Sequence, residues 1–249
     1  MTGTELVSVD VEAALTQLAK RHRNASGVGL QVLNLVGGFT ENVLERLPDR
    51  IKDRLEETTR RALEVAMRAA TQSRGVVPDQ KGWLNTAVTT AMGAAGGAGG
   101  LPTALAELPV TTTVLLRSIQ GVAAEHGYDP ADPEIQKECL LVFGTAGPLE
   151  ADDGADMAFL SARITLTGAT VHGIMARVAP RLATALGQKL AAQTVPILGA
   201  AAGAATNYAY TSYYQDMAQV HFGLKRLSER TGRPREALVA ELRQRLKKA

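Results

Sequence analysis

Two long stretches of this chain carry no charged residue, and they constrain the fold more than any other feature. They cover residues 82–106 and 190–215. Each is long enough to span a bilayer, which takes about 20 residues. Gly, Ala and Thr make up much of both, however, so little free energy is gained when they leave water. Three alternatives stay open: close-packed hairpins in a protein core, hairpins that insert reversibly into a membrane, and transmembrane spans.

Glycines and prolines within these stretches predict where helices meet and where they end. Small residues four positions apart let two backbones approach closely, in lipid or in a protein core. Prolines are expected to bend or end the helices in which they lie. The predicted helix-packing or membrane-contacting positions are Gly93, Gly97, Gly100, Pro102, Pro196, Gly199 and Gly203.

The rest of the composition is that of a globular protein. Hydrophobic residues make up 45% of the chain and charged residues 21%, whereas aromatic residues are only 4%, so the core must rely on close backbone approach. A net charge of +2 gives no global field that favours nucleic acid. One cysteine, Cys139, permits no internal disulfide, and the N-terminus has no signal-peptide pattern. The expected location is cytoplasmic, with the inner face of the membrane as a peripheral site.

Apolar periodicity predicts a mainly α-helical chain without a convincing strand. Breaks are expected at residues 24–29 and at Gly168, Gly173 and Pro180, and Asp132-Pro133-Glu134 has the residue types of a strong helix start. The expected helices cover residues 5–22, 30–47, 48–73, 109–126, 133–143 and 157–186, with an amphipathic helix after Pro234.

Three segments follow from this pattern. Residues 1–75 are predicted to be a helical N-terminal extension, residues 76–228 a single multi-helix domain with two Gly/Ala-rich apolar hairpins, and residues 229–249 a basic amphipathic tail helix. Residues 76–82 are the predicted linker. Residues 223–249 hold nine basic and three acidic residues, a net charge of +6, which suits either contact with acidic lipid headgroups or a solvated helix.

Motifs in and after both uncharged stretches resemble the EcsC family, over about residues 80–228. The resemblance implies an EcsC-like helical domain and a bacterial family named for a protein encoded beside an ABC transporter; it implies no established reaction or catalytic residue. One departure is Gly127-Tyr128-Asp129, where the family has Gly and two acidic residues. The matching residues are Trp83, Gly99-Gly100-Leu101-Pro102, Leu108-Pro109, Leu116-Arg117-Ser118-Ile119, Asp132-Pro133-Glu134, Cys139-Leu140-Leu141-Val142-Phe143, Gln193, Pro196, Gly199-Ala200, Gly203-Ala204, Asn207, Gln215-Asp216-Met217-Ala218 and His221-Phe222.

Polar side chains in or beside the uncharged stretches form the candidate site. If the helices are buried, these groups need partners, because an unpaired buried charge is very costly. Arg117 is expected to pair with Glu107 or Asp216. The set suits an internal polar network, a patch that holds a lipid headgroup or carboxylate, or a catalytic site. Its members are Glu107, Arg117, Gln193, Asn207, Gln215, Asp216 and His221.

Other chemistries have weaker support. The four histidines have no pair at metal-ligand spacing, and His126 with Asp129 and Asp132 suits a turn as well as a cation site. Ser118 and Cys139 are nucleophiles by residue type only, and the glycine run matches neither a dinucleotide fingerprint nor a P-loop. No metal and no cofactor is therefore predicted.

The sequence favours a membrane-peripheral binding or accessory protein that handles an apolar or lipid-like ligand or docks to a membrane transporter. The alternative is a hydrolase that acts on a membrane-derived substrate, and a third is a self-assembling structural protein. The expected partners are a membrane surface or lipid, a transporter, or further copies of the chain, and not nucleic acid.

Overall fold

The computed structural model describes residues 10–35, 49–52, 54–73, 82–98, 100–144, 170–192 and 196–247. Among these residues there is no strand, so the mainly α prediction is confirmed. The helices are α1 (Val11–Leu35), α2 (Asp49–Lys52), α3 (Leu55–Ser73), α4 (Gly82–Ala98), α5 (Gly100–Glu125), α6 (Pro133–Phe143), α7 (Val171–Ala192), α8 (Pro196–Thr231) and α9 (Arg235–Lys247).

Helix α8 is the central element of the fold. It is 36 residues long, and α1, α4 and α5 pack along it, while α6, α7 and α9 make smaller contacts with it. Helix α3 lies one layer further out, against α5 and α7. The core on α8 includes the fully buried rings of Tyr213, Tyr214 and Phe222. A single helix therefore sets the position of most of the others.

The two uncharged stretches meet through their glycines. A Cβ built on Gly93 of α4 would overlap the carbonyl oxygen of Gly203 on α8 and would lie 2.7 Å from Nδ2 of Asn207. One residue separates α4 from α5 in the chain, and the two helices pack together as the predicted first hairpin. The small-residue spacing thus serves contact between helices within the chain at Gly93 and Gly203.

Over the ranges that the structure describes, none of the helices combines the length and the apolar character needed to cross a bilayer.

The predicted break at residues 24–29 is wrong, because α1 continues through it to Leu35. A glycine in a helix costs only about 1 kcal/mol relative to alanine. Packing of α1 on α8, with Leu15, Ala19 and Ala25 buried, outweighs that local cost. The part of the predicted helix at residues 30–47 that lies beyond residue 35, and the predicted break at Gly168, lie outside the described residues.

The helix boundaries predicted at Pro109, Gly173 and Pro180 are also wrong. Pro109 does not start a helix, since it lies within α5, and α7 passes through both Gly173 and Pro180. Packing of the buried residues elsewhere in each helix offsets the hydrogen bond lost at its proline. By contrast, Pro196 begins α8 and Pro102 lies in the first turn of α5, where an N–H has no helical partner to lose.

Two predicted helix starts are confirmed. Asp132 has extended backbone angles (φ −61°, ψ 125°), and its carboxylate accepts a hydrogen bond of 2.8 Å from the backbone N–H of Glu134. Pro133 is the first residue of α6. After residue 234, α9 buries Leu238 and Leu242 on one face.

The close approach of α4 and α8 predicts the effect of substituting Gly93. We expect Gly93→Ala to lower the free energy of unfolding by about 1–3 kcal/mol, because the new methyl group must push the two backbones apart. Urea unfolding followed by circular dichroism measures the change. Gly121 in α5 is the matched control, since no atom lies within 4 Å of a Cβ built there. We expect Gly121→Ala to stabilise the protein by roughly 0.5–1 kcal/mol; equal effects of both substitutions would contradict the packing argument.

Candidate functional site

The predicted polar residues on α8 do not all converge on one site, although Gln215 and Asp216 both line one cleft. Asn207 and Gln215 face α4 and α5, Asp216 faces α1, and His221 faces α6 and α9. Successive helical positions differ by about 100°, so neighbours in sequence point to different helices. The side chains of Glu107 and Gln193 lie outside what the structure describes.

Between α4, α5 and α8 the polar groups form an internal network. The amide of Asn207 donates to the backbone carbonyl of Thr89 at 2.7 Å, and the Thr89 and Thr211 hydroxyls are 2.7 Å apart. The amide of Gln215 donates to the Ser118 hydroxyl at 2.8 Å. These hydrogen bonds run between the packed helices, which agrees with the internal-network interpretation.

Asp216 has a different partner from the one predicted. Its Oδ1 accepts from the guanidinium of Arg21 in α1 at 3.1 Å, so the predicted pair between Arg117 and Asp216 is wrong. Arg117 is half-buried, and its other predicted partner, Glu107, has no described side chain. Burial raises the pKa of Asp216 above its usual value, while the hydrogen bond and charge of Arg21 act in the opposite direction. The carboxylate thus lies at a partly desolvated position beside a cation.

A cleft of about 420 Å³ opens to solvent between α1 and α8, beside this ion pair. The volume is in the range of small-molecule sites. Most of the lining is polar, and it includes groups of both charge signs. The lining residues are Arg23, Asn24, Gly27, Tyr208, Ser212, Gln215 and Asp216.

A second cluster, buried between α6, α8 and α9, surrounds Glu138. Its Oε2 accepts from Nε2 of His221 at 2.6 Å, and its Oε1 lies 3.1 Å from Nζ of Lys225. The guanidinium of Arg235 donates to Nδ1 of His221 at 2.8 Å and approaches Glu138 at 3.6 Å. These contacts assign the histidine a neutral ring protonated at Nε2.

The environment of this cluster fixes its charges. Burial, followed by the charge of Arg235, lowers the pKa of His221 to about 4. Burial alone would raise the pKa of Glu138, but the hydrogen bond from His221 and the charges of Lys225 and Arg235 outweigh it and lower the pKa to about 2. Because His221 and Arg235 are almost fully buried, the cluster holds three helices together and offers no opening for a substrate.

The predicted nucleophiles and turn residues have structural roles. Ser118 is 3% exposed and engaged by Gln215, and Cys139 is fully buried. His126 contacts Gln219, and Asp129 accepts from the backbone of Ala131 within the turn. In the described part of the chain, no group of three His, Cys, Asp or Glu side chains is arranged to hold a metal ion.

Tyr128, at the departure from the family pattern, binds the C-terminal part of α8. Its hydroxyl donates to Glu229 at 2.8 Å, and Nζ of Lys225 lies 5.1 Å from its ring centroid. Its ring also packs against Phe222 at a centroid distance of 5.7 Å. A neutral aromatic residue can make these contacts and an acidic side chain beside Glu229 cannot, so the substitution is accommodated locally.

Sequence reasoning missed the polar residues that α1 adds to the cleft, Arg23 and Asn24, and Arg21, which pairs with Asp216 beside it. It also missed Glu138 and Arg235. The available signal is the basic run at Lys20 to Arg23, which in the sequence alone is equally typical of the last turn of a helix. That run can be placed beside Asp216 only when it is known that α1 packs on α8.

The helical architecture and the α4–α8 contact define a class of all-α proteins built on two Gly/Ala-rich segments. The family model of the EcsC protein family matches residues 38–227, and the chain belongs to this family. The match starts further towards the N-terminus than the motifs at residues 80–228. Comparison with curated proteins and with solved structures finds no match.

The buried Glu138 cluster predicts how stability depends on pH. Because the pKa of His221 is lowered on folding, the unfolded chain binds a proton near pH 6.5 that the folded protein binds only near pH 4. Stability should therefore fall on acidification through this range, by on the order of 2 kcal/mol between pH 7 and pH 5. Glu138 adds a loss with the same sign below about pH 4.5, towards pH 2.

Urea unfolding of the His221→Gln variant at pH 7 and pH 5 tests this origin. We expect the variant to lose less stability than the natural protein over the two pH values, whatever its absolute stability. His172→Gln, at an exposed position on α7, is the control and should keep the full pH dependence. The same slope in all three proteins would show that His221 does not cause it.

Proposed function

We propose that this EcsC-family chain is a membrane-peripheral binding or accessory protein, which handles an apolar or lipid-like ligand or docks to a membrane transporter. The observation that carries the proposal is the outer face of α4. Ala87, Val88, Ala91 and Ala95 are exposed there, on a helix that contains no charged residue. Their spacing places them on one side of the helix, opposite the side that meets α8.

An exposed surface without charges contrasts with the surface of α3. The exposed face of α3 includes Glu57 and Arg61, which form an ion pair at 2.7 Å, beside the exposed Val65. Soluble helices commonly keep charged residues on their outer face. The α4 face lacks them, which supports contact with a surface that is itself apolar, such as the headgroup–acyl boundary of a bilayer.

The size of the side chains on this face argues for reversible contact. Alanine buries little apolar area, and burial contributes about 25 cal/mol per Å². An interfacial helix binds in proportion to the apolar area it buries. One valine among alanines therefore favours a weak, peripheral association and not stable insertion.

The basic C-terminal segment supports membrane contact less than its net charge suggests. Arg245 pairs with Glu12 of α1, Arg233 with Glu241, and Arg235 is buried beside Glu138. Cations that form ion pairs with carboxylates of the same molecule contribute less to the attraction of anionic lipid. We therefore assign the membrane contact to α4.

The hydrolase alternative has no specific support in the described residues. Ser118 and Cys139 are buried, and the partner of the Ser118 hydroxyl is an amide, which cannot act as a general base. The His221–Glu138 pair lies in a closed cluster. The binding role therefore takes precedence over catalysis.

A charge placed on the outer face of α4 tests this proposal. We expect Val88→Glu to lower the partition coefficient of the protein between water and liposomes about tenfold. The substitution removes apolar area from the contact and adds a charge to it. The measurement is flotation with phosphatidylcholine/phosphatidylglycerol liposomes at low salt, followed by a high-salt wash. Binding by an apolar face should persist through the wash.

Val65 provides the matched control, since it is 48% exposed on α3 and Val88 is 42% exposed on α4. Val65→Glu should float like the unsubstituted protein. If the unsubstituted protein never floats, direct membrane contact is wrong. Flotation that salt abolishes in all three proteins would assign binding to basic residues and not to α4.

A further inference from the structure

The cleft between α1 and α8 differs from the nearby helix interface in how its polar groups are used. At the interface of α4, α5 and α8, the polar side chains of Thr89, Asn207 and Gln215 form hydrogen bonds that run from one helix to another. In the cleft, Arg23, Asn24, Tyr208 and Ser212 have no hydrogen bond or ion pair from their side chains to any described residue. Four polar side chains with open hydrogen-bonding capacity thus surround one cavity.

Charges of both signs are present in the same cleft. Arg23 contributes an exposed guanidinium, and Asp216 contributes a carboxylate whose side chain is 22% exposed. Arg21 engages only Oδ1 of Asp216, at 3.1 Å; Oδ2 has no partner among the described residues. A guanidinium suits the oxygens of a phosphate, and a free carboxylate oxygen suits an ammonium group.

We propose that this cleft binds a small zwitterionic phosphate, with the phosphate at Arg23 and the ammonium group at Asp216. The Asn24 amide and the hydroxyls of Tyr208 and Ser212 supply further hydrogen bonds to the phosphate oxygens. A cavity of about 420 Å³ accommodates a headgroup of this size. The chemistry is that of phosphoethanolamine, either as a free molecule or as the headgroup of a phospholipid.

This inference rests on the proposed binding function for the class of ligand, but its site lies on a different pair of helices from the α4 face. A soluble probe therefore separates the two. Failure of Val88→Glu to change flotation would reject membrane contact through α4 and would leave the cleft untouched. Failure of the cleft to bind the soluble probe would leave the flotation result untouched.

The experiment is calorimetric titration of the full chain with phosphoethanolamine, with inorganic phosphate and ethanolamine as single-charge probes. We expect saturable binding of phosphoethanolamine and weaker binding of both single-charge probes. Arg23→Gln should weaken binding of phosphoethanolamine about tenfold, the size expected for one charge-assisted contact. Because Arg23 is exposed and makes no described contact, this variant should keep the fold, which circular dichroism checks.

The matched control is Arg177→Gln, an exposed arginine on α7 outside the cleft. It should bind phosphoethanolamine like the unsubstituted protein. Asp216→Asn should reduce the preference for phosphoethanolamine over inorganic phosphate, since the charge that attracts the ammonium group is lost and the phosphate contact of Arg23 is kept. No saturation with phosphoethanolamine, or equal losses in the Arg23 and Arg177 variants, would overturn the proposal.

Competition identifies the source of the ligand. Phosphatidylethanolamine vesicles that displace bound phosphoethanolamine would assign the cleft to a lipid headgroup. Vesicles that do not displace it would assign the cleft to the free molecule. Either result supports the chemistry proposed for the cleft, provided that Arg23→Gln weakens binding of phosphoethanolamine and Arg177→Gln does not.

Discussion

The backbone contact between Gly93 and Gly203 is the constraint on which the rest of the structure depends. Only at that separation can Asn207 reach the carbonyl of Thr89 and the hydroxyls of Thr89 and Thr211 meet at 2.7 Å. Helix α5 follows α4 after a single residue, so its place on α8 is set by the same contact. The polar network then gives the three helices a defined register, because a shift of one residue would leave buried amides and hydroxyls without partners.

The C-terminal part of α8 uses charge for the same purpose. Burying Glu138 and Arg235 costs several kcal/mol of desolvation for each ion, and their mutual attraction with His221 and Lys225 offsets it only while all four groups stay in contact. Helix α9 therefore belongs to the core through Arg235. The basic segment that looks like a tail in the sequence is anchored at its start, and Arg245 ties its end to Glu12 of α1.

The sequence predicts those features that depend on local chemistry or on the absence of charge. The helix start at Asp132 and the mainly helical fold are confirmed, and Gly93 and Gly203 lie at a close contact of the kind that the small-residue spacing predicts. The predicted break at residues 24–29 and the predicted helix start at Pro109 are wrong because burial against other helices outweighs local propensity. The partner of Asp216 could not be chosen from sequence either, since Arg21 and Arg117 are both plausible until the position of α1 is known.

How α1 is held on α8 determines what the cleft can do. The pair of Arg21 with Asp216 is partly exposed, and exposed pairs contribute only about 0–1 kcal/mol. The larger contribution is apolar: Leu15 is fully buried, and Leu18 packs so closely on Gly223 that a Cβ there would lie 2.7 Å from Cδ2 of Leu18. Apolar packing therefore anchors the N-terminal part of α1, and the carboxylate of Asp216 can exchange part of its interaction with Arg21 for a ligand cation without loss of the helix contact.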